Sequence, residues 1–246
     1  MNKVAFTIAD QNNMKYAEAM IKSLRKFHSE KELPVVVIGQ DKLSTILQQD
    51  PQFFYRATPI IAKDLWKQGY DTIIKIDADS VITSKLDHVW DSVYEIGVVN
   101  NSNPRETKKY PVTVWNLHPL RYINCGFVAM KSERFINHWF NLCNSVHFQY
   151  YQMREQDLLN IMVFYMDFQV SFLDAGNKWH GLISRGYEPQ MILKDDKLIL
   201  PKNDEWGNED KEICVWHEAG GNKPNKMNFN IMFNEEVTKW LKKLTA

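Results

Sequence analysis

The chain opens on an apolar run, Val4-Ala5-Phe6-Thr7-Ile8-Ala9, which predicts a first strand, followed by a polar loop, Asp10-Gln11-Asn12-Asn13. Tyr16, Ala17, Met20, Ile21, Leu24 and Phe27 then recur at helical spacing up to His28, the pattern of an amphipathic helix. Pro34 to Ile38 is a second apolar strand closed by Gly39, Asp41 to Leu47 a weaker helix, and Ala62 to Gln68 a short one. Ile73, Ile74 and Ile76 are β-branched, sit in a short run bounded by Gly69 and by acids, and predict a buried central strand. Strands alternating with helices up to residue 77 imply an α/β fold with a mostly parallel sheet. The loops at the carboxyl ends of its strands should gather near Asp77, so the Asp10 and Asp77 loops are expected to share a cleft.

Beyond residue 95 the pattern is less regular. Ile96 to Asn100 reads as a strand, and Asn101 to Leu120, with Pro104, Pro111 and Pro119, as a long irregular stretch of the kind that is functional or mobile. Trp115 and His118 could meet a substrate there or pin the loop to the core. Tyr122 to Met130 is a strand interrupted at Asn124-Cys125-Gly126, where glycine marks a close approach of backbone or ligand. Ser132 should cap a helix to about Asn144, buried through Phe135, Ile136, Trp139, Phe140 and Leu142. A helix from Arg154 to Phe164 opens with Glu155-Gln156-Asp157, acids that ordinarily serve as caps and dipole partners. Val170 to Leu173 is a strand, and Met191 to Leu200 a hairpin turning at Lys194-Asp195-Asp196-Lys197. Trp206 to Lys211 is loop-like, and a last strand, Ile213 to Trp216, delivers His217, Gly220, Gly221 and Lys223 onto a loop that can approach a ligand closely. Val237, Trp240, Leu241 and Leu244 form one face of a terminal helix, with Lys239, Lys242 and Lys243 opposite; it could dock on its own domain or touch a membrane surface.

Composition narrows the class. A chain of 246 residues, 44% hydrophobic, can bury a full core. Lysine plus arginine equals aspartate plus glutamate at 30 each, so there is no net field to draw nucleic acid. Cys125, Cys143 and Cys214 form no C-x-x-C pair and are odd in number, against both a disulfide framework and a zinc site. With no leader-like or membrane-spanning run, a cytoplasmic location is expected.

The candidate chemistry begins where the central strand ends. Asp77 and Asp79 place two hard oxygen donors at a strand's carboxyl end, a set that suits Mg²⁺ or Mn²⁺ held with substrate phosphates, and Ala78 between them leaves room for a substrate. The alternative is an Asx turn with both acids solvated.

Ile76-Asp77-Ala78-Asp79, Asn124-Cys125-Gly126, Glu155-Gln156-Asp157-Leu158-Leu159-Asn160 and His217-x-x-Gly220-x-x-Lys223-Pro224 follow one another in an order that resembles the GT-A-fold glycosyltransferases of family 8. That family includes glycogenin and the bacterial lipopolysaccharide galactosyl- and glucosyltransferases, and the resemblance spans roughly residues 3 to 225. It implies one Rossmann-like GT-A domain over 1–246: a nucleotide-binding half (1–100), an acceptor-binding half (101–234) and the C-terminal helix (235–246). The implied activity is transfer of a hexose from a nucleotide sugar, a UDP-hexose by family prevalence, to a glycan, lipid-linked or protein acceptor with retention. By the same resemblance Asp77, Asp79 and His217 would hold Mn²⁺, Gly220 and Lys223 the diphosphate, and Asn124 and Gly126 the donor sugar. Gln156 would lie below the reacting carbon, flanked by Glu155 and Asp157; Lys63 and Ala78 would touch the donor; Thr7, Ala9 and Asp10 would hold the nucleoside. Acceptor specificity is expected in 101–120 and around Trp179-His180-Gly181.

The sequence departs from the family where Asn225 follows Lys223-Pro224 in place of an aromatic residue, where Cys125 replaces an alanine, and where the Asp10 loop lacks an aromatic to stack on the base. A nucleotidyltransferase would need a glycine-rich N-terminal phosphate loop, which is missing. A silent nucleotide-sugar-binding scaffold remains the alternative from another class.

Overall fold

The computed structural model describes residues 1–49, 53–100, 121–146, 148–174, 178–183, 186–203, 207–218 and 227–246. β1 (Lys3–Ile8), α1 (Met14–Arg25), β2 (Val35–Ile38), α2 (Gln40–Gln49), α3 (Ala57–Lys67) and β3 (Thr72–Ile76) realise the predicted alternation. α3 begins at Ala57 rather than Ala62, because Pro59 falls in the first turn, where its missing N–H leaves no helical bond unmade. β1 pairs in parallel with both β2 and β3. All five residues of β3 are buried, as expected of a strand covered on both faces.

Next come β4 (Ser80–Ile82), α4 (Asp87–Ser92), β5 (Ile96–Asn100), β6 (Ile123–Met130), α5 (Glu133–Cys143), α6 (Glu155–Tyr165) and β7 (Val170–Phe172). The first sheet has six strands in the order β2-β1-β3-β6-β5-β7. β6 runs antiparallel to both β3 and β5, and β7 is parallel to β5, so the sheet is mixed. Ser132 caps α5 as predicted, its Oγ accepting from Phe135 N–H at 3.2 Å.

A second sheet was not foreseen. β8 (Lys178–Ile183), β9 (Ile192–Lys194), β10 (Lys197–Leu200) and β11 (Lys211–His217) join β4 in the order β4-β11-β10-β9, with β8 parallel to β11. The expected hairpin is β9–β10, and Asp195 and Asp196, at φ 51° and 56°, make the type I′ turn whose twist suits a two-residue connection.

One face of the first sheet buries Phe6, Ile73 and Val128 with Ala62 of α3, Trp139 of α5 and Leu159 of α6. The other buries Ile74, Ile76 and Phe127 with Met20 and Leu24 of α1 and Trp90 of α4. After α7 (Phe229–Met232), the terminal helix α8 (Glu235–Thr245) lays Val237, Leu241 and Leu244 into a cluster with Trp216 and Leu200, so its apolar face is used inside the chain. Among the described residues no helix is long and apolar enough to cross a membrane.

Candidate active site

The two sheets meet just after β3. Asp77 N–H donates to Gly126 C=O at 2.7 Å, the chain turns with Ser80 N–H on Asp77 C=O at 3.2 Å, and β4 starts back along β11 with Ser80 in register with His217. Glu218 N–H then bonds Asp79 C=O at 3.1 Å. This joint brings Asp77, Asp79 and His217 together: His217 Nε2 lies 3.3 Å from Asp77 Oδ2 and 3.2 Å from Asp79 Oδ1. The prospective ligand atoms of all three are within 4.8 Å of one another. Burial opposes a charged imidazole, but Asp79 and Asp77 outweigh it and push His217 up to about 9. Burial likewise opposes an ionised Asp77, and Lys75 and His217 outweigh that, holding its carboxyl far below the usual range. Two carboxylates and one imidazole at this spacing fit a divalent cation with a preference for oxygen donors, which would take the place of the His217 proton.

Gly126 is required by this joint. A Cβ there would lie 2.3 Å from His217 Cε1 and 2.6 Å from Asn124 Oδ1. Asn124 Oδ1 in turn accepts from Gly126 N–H at 2.6 Å, which folds the Asn124 side chain onto its own strand.

Beneath Asp77 lies a residue that sequence reasoning missed. Lys75 is buried in β3, donates to Asp77 Oδ1, and also reaches Cys125 C=O at 2.6 Å. Its signal was present: a lysine in a β-branched run has to find a carboxylate, and Asp77 is the acid two residues on, on the same face of the strand.

The first turn of α6 faces the same region. Gln156 Oε1 accepts from Cys125 N–H at 3.1 Å. Burial raises the Glu155 carboxyl to about 8, with Lys75 lowering and Asp77 raising it further. Asp157 turns the other way: fully buried, it accepts from Tyr122 Oη–H at 2.6 Å and from Met153 N–H at 2.9 Å. Both of its oxygens thus help hold the chain where α6 meets β6.

Thr7 and Ala9 are buried at the end of β1, and Ala9 packs with Ala17 of α1 and with Ala78, so the β1 and β3 ends lie side by side. Thr7 Oγ1 has no hydrogen-bond partner. Asp10 Oδ1 accepts from Asn13 N–H at 2.9 Å and from its amide at 2.7 Å, closing the turn into α1. Lys63 Nζ lies 3.9 Å from the centre of the Phe140 ring on α5. His180 is buried, with Nδ1 3.1 Å from Leu173 O and 3.2 Å from His88 Nε2, an interior place rather than an acceptor surface. Gly220, Lys223, Trp115, His118 and the whole of 101–120 lie outside the described residues.

No family model and no curated protein matches the sequence. Solved structures do match. The galactosyltransferase LgtC, in complex with donor and acceptor sugar analogs, superposes with a TM-score of 0.60 at 16% identity, covering 99% of this chain and 96% of that one. The chain has the GT-A fold. Two further GT-A neighbours agree. A glycosyltransferase involved in glycosylation of the major capsid of PBCV-1 gives 0.59 at 10% identity, over 94% of this chain and 100% of that one. Mouse xyloside xylosyltransferase 1 in apo form gives 0.51 at 10% identity, over 91% and 99%. At these identities the likeness is one of GT-A fold.

Proposed function

We propose that the chain is a metal-dependent glycosyltransferase of the family 8 kind, which moves a hexose from a UDP-sugar to a glycan, lipid-linked or protein acceptor with retention. One observation carries the reading: Asp77, Asp79 and His217, contributed by the β3–β4 turn and the end of β11, lie within 4.8 Å of one another at the carboxyl end of the central sheet. Ligands of open α/β sheets gather there. These three residues would hold Mn²⁺, which supplies positive charge against the departing diphosphate. Lys223 and Gly220 would take the diphosphate, Thr7, Ala9 and Asp10 the nucleoside, and Asn124 and Gly126 the donor sugar.

The states of the α6 acids favour a front-face course. A carboxyl raised to about 8 by burial is a poor nucleophile at neutral pH, which speaks against attack of Glu155 on carbon. Asp157 has both oxygens engaged by Tyr122 and Met153. The acceptor oxygen then bonds the sugar carbon on the face the diphosphate leaves, and its proton passes to the departing phosphate oxygen. Gln156 lies beneath and orients the sugar.

The test is a panel of UDP- and GDP-sugars scored for diphosphonucleoside release with Mn²⁺ and with chelator, for wild type and Asp79→Ala. Metal-dependent release from one donor, lost in the variant, supports transfer. Binding without turnover across the panel refutes it, and an inverted product anomer by proton NMR refutes the front-face course.

A further inference from the structure

α6 starts from a residue whose conformation a side chain rarely adopts. Arg154 has φ 52° and ψ −123°, the first central position of a type II′ turn, where glycine is the unstrained choice. No side-chain cap from Arg154 compensates at this helix start. Both flanking residues are tied: Met153 N–H is bonded to Asp157 Oδ2 at 2.9 Å, and Glu155 C=O accepts from Trp139 Nε1–H at 3.1 Å.

The side chain itself is clamped. Its Nη1 donates to Gln149 C=O at 3.0 Å, and its guanidinium carbon lies 6.0 Å from the Tyr55 ring centre and 5.7 Å from that of Phe148. Strain persists only where the surroundings over-determine it, and it collects where direction matters. What this residue directs is the following pair, Glu155 and Gln156, of which Gln156 faces the Cys125 peptide.

We propose that Arg154 is a positioning residue: its strained backbone, locked by the clamp on Gln149, Tyr55 and Phe148, sets the angle at which Glu155 and Gln156 face the reacting sugar. The inference rests on the transferase reading, and two kinds of measurement separate their failures. Arg154→Gly keeps the conformation accessible without strain but removes the clamp. It should melt at or above the wild-type temperature, with kcat lowered about tenfold to a hundredfold and donor KM within about twofold. Arg154→Lys, which can still reach the Gln149 carbonyl and the rings, should recover most of kcat. Hydrogen–deuterium exchange, which needs no turnover, should quicken at 153–157 and 124–126 in Arg154→Gly and not in Arg154→Lys. Donor cleavage absent from the wild type would end the transferase reading while the exchange experiment still decides on Arg154. The inference is overturned if Arg154→Gly melts several degrees lower, matches wild type in kcat, or leaves exchange unchanged.

Discussion

Gly126→Ala tests the site at its tightest point. The added carbon would sit 2.3 Å from His217 Cε1, 2.6 Å from His217 Nδ1 and 2.6 Å from Asn124 Oδ1. Non-bonded carbons rest about 3.5–4.0 Å apart, so the imidazole must retreat by roughly 1 Å or the strand must bow. Neither is cheap. His217 is the buried last residue of β11, paired with Ser80, and Asn124 is held by the Gly126 N–H itself. Overpacking of this kind costs about 1–3 kcal/mol, a melting shift of roughly 2–10 °C for a chain of this length. The functional loss should exceed the loss of stability. Metal ligands must be placed to about 0.2 Å, so a 1 Å displacement of His217 removes it from the set and should weaken Mn²⁺ binding about tenfold to a hundredfold or more. Titration followed by the electron paramagnetic resonance signal of unbound Mn²⁺, with a thermal melt on the same sample, separates the two effects. A folded Gly126→Ala protein that binds Mn²⁺ as tightly as wild type would refute the argument that His217 faces the ion.

Four other outcomes are expected. Because His217 titrates at about 9 before metal enters, binding must expel its proton: apparent Mn²⁺ affinity should rise about tenfold per pH unit up to about pH 9 and then level, as titrations across pH 6.5–9.5 would show. The same raised value means that, without metal, the His217 contribution to stability is complete below its ordinary 6.5 and is lost as pH climbs through about 9, so the melting temperature of the metal-free protein should fall over that window. Tyr122→Phe leaves the buried Asp157 carboxylate without one of its donors and should cost about 1.5–3 kcal/mol in urea unfolding; a cost under ~0.5 kcal/mol would show that the bond does not support α6. Lys75→Met removes the cation that holds Asp77 ionised, so the acid limit of Mn²⁺ binding should move to higher pH, and an unmoved limit would place the control of Asp77 elsewhere.

The parts of this fold that could be read from the chain are those with a period of their own. α1, α5 and α8 each carry an apolar stripe longer than two turns, and β1 and β3 are unbroken apolar runs. The second sheet could not be read in the same way, because β4 and β9 have three residues each and a strand so short has no detectable alternation. Asp77 and Asp79 stood out because acids ended an apolar run, whereas His217 reached the site only through the order of motifs, since its closure depends on which strand β11 finds as partner. Glu155 and Asp157 show the remaining limit. They are alike in sequence, yet positions two apart on a helix point about 200° apart, and their environments give one a carboxyl raised to about 8 and the other a pair of structural hydrogen bonds.

The direction of β6 explains why so many chain segments converge. Antiparallel to β3, it brings its own beginning, Asn124 to Gly126, beside the carboxyl end that carries Asp77. A parallel neighbour would have brought its far end instead. Its pairing with β5 then slips: Val98 faces Val128 but Val99 faces Asn124, so the residues between are released from that side of the sheet. Bulges of this sort re-aim groups next to active sites, and here their polar atoms can be followed one by one. Cys125 N–H goes to Gln156, Cys125 C=O to Lys75, Gly126 N–H to Asn124, and Gly126 C=O to Asp77 N–H. Gly126 C=O continues the β3–β6 pairing into the acid turn, while Cys125 N–H, left without a partner on β5, joins the same stretch to the first turn of α6. A substitution that restored regular β5–β6 pairing would have to take the Cys125 N–H back, and it should release Gln156 from the strand without touching its side chain.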